Sequence, residues 1–369
     1  MKYKKYILPF IMTIFAIMTF NCASDKPDFG VVSSTNDQST GKFSDTVYIK
    51  QGEDWKGFNR PEAIIVGTDN DKFIYVADTY NDRIVMLNTA GQIQGIRSIK
   101  HPIALAEDHQ FNLIVCAQMD TVIQGTQTSV SAVYKLNLYA SGQHIENAPI
   151  SRILPANNDF RFLDEVKRRQ YTGVCVFYDN SFYVSRMGTE NISLIDPDNS
   201  ILIFQKTISG GAKRDTLIGR VPLISADGTG QLSANKISSM TSFPRRNMDF
   251  IVTLVGENYF RTQWLKYVST SVYTGYESKF QTPNVAIMSI GRFSQPEGAA
   301  VDNSGNIFVA DAAKDSIFKF NSYGEELQSF GGEKVFNHPH AVAVYNKIVY
   351  VADTDNNCIK RFILSTDSE

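Results

Sequence analysis

Three residues stand one place after a proline that opens an alternating apolar run: Glu62, Glu297 and His340. Two carboxylates and an imidazole can together hold a divalent cation, with water completing its shell. The same groups can instead bond backbone or arginine side chains around a water-filled opening. Which chemistry applies depends on whether the chain brings the three together. Other reactive positions offer less. Cys116, Cys175 and Cys358 lie inside apolar, strand-like patterns and read as buried thiols. A Cys116–Cys175 bridge would suit an oxidising compartment and would leave one cysteine over. The sequence holds no Gly-x-Ser-x-Gly elbow, His-Glu-x-x-His or Cys-x-x-Cys, and the run Ser209-Gly210-Gly211-Ala212-Lys213 has neither the spacing nor the context of a phosphate loop.

A second group of candidates is electrostatic. Between residues 152 and 246 there are 13 basic and 9 acidic residues, in a chain with 36 Lys+Arg against 38 Asp+Glu. Arg161, Lys167, Arg168 and Arg169 fall in a short helical pattern within one expected insertion, and Lys213, Arg214 and Arg220 within another. Inserted loops on a rigid scaffold are where binding surfaces arise. An overall charge near −2 excludes the electrostatic footprint of a nucleic-acid binder, so a protein or glycan partner is the expectation.

The elements that must position these residues begin with a leader. Lys2, Lys4 and Lys5 precede a 14-residue apolar run, Ile7 to Phe20, which spans roughly 21 Å and falls short of a ~30 Å bilayer core. That is a secretory signal pattern. The following Thr19-Phe20-Asn21-Cys22-Ala23-Ser24 resembles a bacterial lipoprotein cleavage site of the looser kind found in spirochaetes. The resemblance implies removal of residues 1–21, acylation of Cys22 and a lipid-anchored place in the cell envelope, at the outer membrane. Residues 23–44 are rich in Ser, Thr, Asp, Asn and Gly and read as a tether.

From residue 45 onward the chain repeats. Pro61-Glu62-Ala63-Ile64-Ile65-Val66 with Phe73 to Thr79, Pro296 to Val301 with Asn306 to Asp311, and Pro339 to Val344 with Ile348 to Thr354 align, the last two 42 residues apart at Val-Ala-Asp. That period is one four-stranded propeller blade. Weaker copies start near 102, 172 and 237, giving six blades, with Asn191 to Asp196 expected as the third strand of one of them. Extra residues are expected near 141–170, 209–235 and 270–284. Asp78, Asp311 and Asp353 read as turn caps. The last blade runs out after its third strand, so Thr46 to Lys50 is expected to supply the fourth and close the ring.

The three clear units resemble NHL repeats: a proline-led strand, a Val-Ala-Asp strand end, then Asn-x-Arg-Ile or its equivalent. The fold expected is therefore all-β, a six-bladed β-propeller over residues 45–369. The function expected is that of a membrane-anchored, non-catalytic binding or scaffold protein that presents a loop face to a macromolecule. An alternative comes from six-bladed lyases and lactonases, whose proline–histidine strand starts resemble the unit at His340. It implies a metal-dependent, channel-centred enzyme with a divalent cation near Glu62, Glu297 and His340.

Overall fold

The computed structural model describes residues 46–68, 71–209, 211–280 and 286–368. Cys22, the leader and the tether lie outside them. The described chain forms six four-stranded antiparallel sheets arranged as propeller blades. Inner strands are Pro61–Val66, Ala104–Glu107, Gln170–Val176, Ile237–Ser242, Pro296–Val301 and Pro339–Tyr345, in blades 1 to 6. Blade 6 orders Pro339–Tyr345, Ile348–Asp353, Cys358–Leu364 and then Tyr48–Lys50, so the first strand completes the last blade as expected. Tyr48 stacks on Phe330 of blade 5 at 4.4 Å, and Trp55 bridges to Ile359 and packs on Tyr350, so aromatic anchors reinforce a three-residue strand.

The sequence dictates this packing through its period of two. Strand residues alternate between opposite faces. In Ile74–Asp78, Ile74 and Val76 join a cluster with blade 6 while Tyr75 and Ala77 join one with blade 2. Both faces are covered, which is why such strands read as unbroken apolar runs. Six hydrophobic clusters result, one between each adjacent pair of blades. A repeated hydroxyl latch accompanies them. Thr79, Thr172, Ser238 and Thr354 each donate across to the backbone carbonyl at the start of the next inner strand: Pro102, Ile237, Pro296 and, closing the ring, Pro61.

The buried carboxylates Asp78, Asp311 and Asp353 are caps, but over a longer reach than the turn alone. Asp78 accepts from the Asn59 N–H and the Arg83 guanidinium, Asp311 from the N–H groups of Ser294 and Gln295, and Asp353 from the Asn337 N–H. Each ties a strand end to the loop that leads into its own blade.

Two expectations are corrected. Asn191 to Asp196 is not the third strand of blade 3; that strand is Ser200–Ser209. Ile192, Leu194 and Ile195 form an apolar stretch broken only by Ser193, as a short strand could, yet they are about nine-tenths exposed, whereas Ile201 and Leu202 are buried. The expected extra residues at 141–170, 209–235 and 270–284 contain the outer strands of blades 2, 3 and 4, Ile150–Leu154, Ala212–Arg220 and Thr274–Ser278. Cys116, Cys175 and Cys358 are buried and free, so no Cys116–Cys175 bridge forms. Cys116 packs between blades 2 and 3, and Cys175 between blades 3 and 4.

Candidate functional site

Because every inner strand runs the same way along the axis, residues that start these strands share one rim of the central channel. The connections into each blade and the turns between second and third strands crowd this upper rim. Glu62, Glu297 and His340 stand here on adjacent blades 1, 5 and 6. Gly298 shows how closely two of those strands approach: a Cβ there would lie 2.3 Å from the His340 carbonyl oxygen. The channel holds a half-open cavity of about 570 Å³, lined at its upper end by Glu62, Glu297 and Ser238 and at its lower end by Glu107, His109, Tyr178, Arg245 and Arg246.

The rim is electrostatically unusual. Burial pushes the Glu62 carboxyl up to about 7, with Arg60 opposing and Glu297 and Asp355 adding to the rise. Burial also raises Glu297, against a hydrogen bond from Gln295 at 2.7 Å. His340 is pushed down to about 4 by burial and then by Arg60, so its imidazole is neutral near pH 7. The arginine responsible is itself committed, paired with Asp355, which also meets His338 Nδ1 at 2.8 Å. Among the described residues, no group of three or more His, Cys, Asp or Glu side chains could hold a metal ion. Glu62, Glu297 and His340 therefore share a rim without forming a ligand set, and His340 does not line the cavity. The signal for Arg60, Asp355 and His338 was absent from the sequence reading, since each lies in a turn rather than in the repeated strand.

The basic candidates divide. Leu163–Arg168 is the expected short helix; with Asn157–Arg161 it packs on the tall hairpin of blade 2, Asn112–Ile123 and Thr126–Asn137, through Phe160, Leu163 and Val166. Arg161 and Lys167 are exposed. Arg168 and Arg169 instead turn inward to fully buried Asp198, each with a 2.7 Å Nε bond. Arg169 and Arg186 also bind Asp196. Burial alone would raise the Asp198 carboxyl, but the two guanidiniums and the Glu190 N–H hold it below its usual value. Gly188 is required beside it, since a Cβ would fall 2.6 Å from the Asp198 carboxylate. Arg220 donates to the carbonyls of Leu194 and Ile195. Lys213 and Arg214 lie at the far end of the same outer strand, roughly 20 Å away at ~3.3 Å per residue, so Lys213, Arg214 and Arg220 do not form one surface.

These arginines are thus largely spent on fastening the 188–199 connection, and what that connection displays is apolar. Ile192, Leu194 and Ile195 are 93, 92 and 87 % exposed. Beside them a second cavity, about 420 Å³, is lined by Phe162, Val166, Tyr171, Ile195, Leu202 and Leu217, with Arg169, Arg186 and Asp196 also contributing. Sequence reasoning missed this face because it assigned those aliphatic residues to a buried strand.

Against known proteins, residues 336–362 match the family described as NHL repeat. NHL repeat-containing protein 2 of Gallus gallus is 32 % identical over 84 residues, covering 20 % of this chain and only 12 % of that protein. An auxiliary nutrient binding protein from Bacteroides thetaiotaomicron superposes with a TM-score of 0.53 at 10 % identity, over 84 % of this chain and 70 % of its own. Regucalcin from Agrobacterium tumefaciens, described as a calcium-binding protein, gives 0.51 at 11 % identity over 83 % of this chain and 91 % of its own. At such identities these structural likenesses speak for the fold alone. The chain is a six-bladed β-propeller whose last blade carries an NHL-type repeat.

Proposed function

We propose that this protein is a non-catalytic binding propeller, held at the outer membrane of a bacterial envelope by acyl chains on Cys22, that presents the face between blades 2 and 3 to a protein partner. The observation that carries the reading is the pinned connection with Ile192, Leu194 and Ile195 exposed next to an apolar-floored cavity. A contiguous exposed apolar patch is costly to keep in water and marks an interaction surface. A protein suits it better than a glycan. Aliphatic side chains bury area against apolar residues of another protein, whereas they offer a sugar no hydrogen bonds. The rigid backing lowers the entropy lost on binding.

Photo-crosslinking in cells tests this. A photoreactive residue at Leu194 should yield a discrete protein adduct that Phe162→Ser with Ile195→Ser removes. The same probe at Val272, equally exposed on blade 4, should yield none. Identical adducts from both positions would refute the assignment. The anchor has its own test: Cys22→Ala should move the chain from the membrane fraction to the soluble one.

A further inference from the structure

The lower rim, opposite the loop face, is built differently in one half of the ring. In blades 1, 2 and 5 the third strand ends opposite the first residue of the second: Leu87 against Ile74, Asn137 against Asn112 and Phe320 against Ile307. Blades 3 and 4 overrun that line. Phe204 faces Phe182 yet its strand continues to Ser209, and Leu265 faces Phe250 yet its strand continues to Ser269. Paired with Ala212–Arg220 and Thr274–Ser278, the overruns form two tongues that extend roughly 13–17 Å past the second strands, at ~3.3 Å per residue. The blade 3 tongue is braced at its base. Lys135 of blade 2 meets Asp215 at 2.8 Å and buried Asp108 at 3.1 Å, and Lys206 donates to Gln110. Nearer the tip, Ile208 is 75 % exposed, with Lys213 opposite it in register. Val272, in the turn of the blade 4 tongue, is 94 % exposed.

Charge follows the same division. Among the described residues, the lower turns of blades 5, 6 and 1 carry Asp71, Asp302, Glu325 and Asp367 against Lys72 and Lys347. On blades 3 and 4, Asp215 is spent on Lys135, and Asp249 accepts from Trp264 Nε1 and the Tyr267 N–H. That leaves Lys213, Arg214, Arg245, Arg246 and Lys266 against Asp179 and Glu277. The chain also enters the propeller on this rim. Tyr48 stands opposite Leu364, and the Val47 carbonyl accepts from the Ser365 N–H, at the lower end of blade 6 and three blades round from blade 3.

We propose that the lower rim of blades 3 and 4 rests on an anionic phospholipid bilayer, with Ile208 and Val272 in the headgroup boundary and Lys213, Arg214, Arg245 and Arg246 on lipid phosphates. Interfacial binding draws on that pairing of apolar area with basic side chains. A fluid bilayer conforms to two projecting tips, whereas a protein partner needs one continuous complementary patch. The proposal rests on the envelope location proposed above and not on the loop-face partner. Two aliphatic tips and a few cations bind weakly by themselves, so the contact orients an anchored domain and does not retain a free one. Entry at blade 6 and touchdown at blade 3 lie on opposite sides of one rim. The other rim, with Ile192, Leu194 and Ile195, is thereby turned away from lipid.

Vesicle co-sedimentation of the chain from residue 22 onward, carrying Cys22→Ser and so free of leader and acyl groups, tests the proposal. Vesicles of phosphatidylcholine with about one-third phosphatidylglycerol should bind it at least tenfold better than phosphatidylcholine alone, each basic residue contributing about fivefold. Lys213→Glu with Arg214→Glu should weaken the anionic binding at least tenfold, and Val272→Asp about threefold, with melting unchanged because all three are exposed. Lys347→Glu, on the same rim at blade 6, should alter it less than twofold. In cells, a photoreactive residue at Val272 in the full chain should acquire phospholipid and no protein. The proposal fails if both vesicle types bind alike, if neither binds, if the Lys213 and Arg214 reversal leaves binding intact, or if the Val272 probe captures a protein. Vesicle binding that persists while the Leu194 adduct or Cys22 acylation is not found would refute the loop-face or anchor reading alone.

Discussion

Blades 5, 6 and 1 and blades 2, 3 and 4 solve the same packing problem with different sequence economies. In the first set, strands of five to seven residues joined by short 3-10 turns carry a buried Asp at each second-strand end, and that Asp organises its own blade over fewer than twenty residues. In the second set, blades 2 and 3 lengthen strands to ten or twelve residues while blade 4 keeps strands of five to eight, and the fastening acid of blade 3, Asp198, gathers Arg168 and Arg169 from thirty residues away. The clusters between blades are equivalent in both halves. What differs is where charge is used: locally to finish a strand, or at long range to hold an ornament on the rim. A propeller ring therefore tolerates large insertions provided their polar groups are satisfied against each other and not against the core.

The contrast can be broken from the regular side first. Removing residues up to and including Lys50 takes the fourth strand and the Tyr48 stack from blade 6 and leaves an open ring. Cooperative unfolding should be lost or the melting temperature should fall by more than about 10 °C, while removal through Ser44 should leave it unchanged. Calorimetry on the two truncations decides this.

Next in size is Asp198→Ala. It strands two guanidiniums and should cost roughly 2–4 kcal/mol, near the lower part of the range for breaking a buried pair, because both arginines reach water. The damage should stay local, seen as new protease cleavage within 188–199 with the far blades still protected in hydrogen exchange. Global unfolding would mean that the ornament is part of the core after all.

A subtler effect divides Glu62 from His340. Glu62 is raised, so the folded state holds a proton that the unfolded state has released between about pH 4.5 and 7, and stability falls as pH rises through that window. His340 is lowered, so its contribution rises with pH between about 4 and 6.5. The two slopes largely offset in the native protein. Glu62→Gln should expose the difference: little gain at pH 4.5, growing to at most ~3 kcal/mol above pH 7, read from urea melts at several pH values. At the small end, Lys213→Ala and Arg214→Ala should change stability by less than ~0.5 kcal/mol, since both are exposed and unpaired among the described residues.

The regular half was legible because its signals are local. Proline fixes a strand start, Val-Ala-Asp a strand end, and a 42-residue period counts the blades. Closure by Thr46 to Lys50 followed from simple strand bookkeeping. Blade 3 was misread where local signals conflict: Asn191 to Asp196 holds three aliphatic residues in a strand-length stretch, but Pro197 and the apolar run Ile201 to Phe204 mark the real strand. The channel rim was half legible. Shared position after a proline put Glu62, Glu297 and His340 on one rim, but their protonation depends on burial and on Arg60, Asp355 and His338 from other loops. Nor does sequence show whether an arginine faces water or an acid thirty residues away. Arg168 and Arg161 look alike until the fold separates them.

Pairing Tyr48–Lys50 with Phe362–Leu364 also sets a clock for synthesis. The first strand leaves the ribosome roughly 15–60 s before its partner, at ~5–20 residues per second over ~310 intervening residues. Five blades can stack in that interval, but the ring cannot lock. Until then the nascent molecule carries an unsatisfied β edge at each end, Tyr48–Lys50 at the front and the latest blade behind. Such edges invite pairing with other chains. The ring is thus protected from such pairing only once Phe362–Leu364 has been made, and a ribosome stalled just before that strand would release an association-prone product.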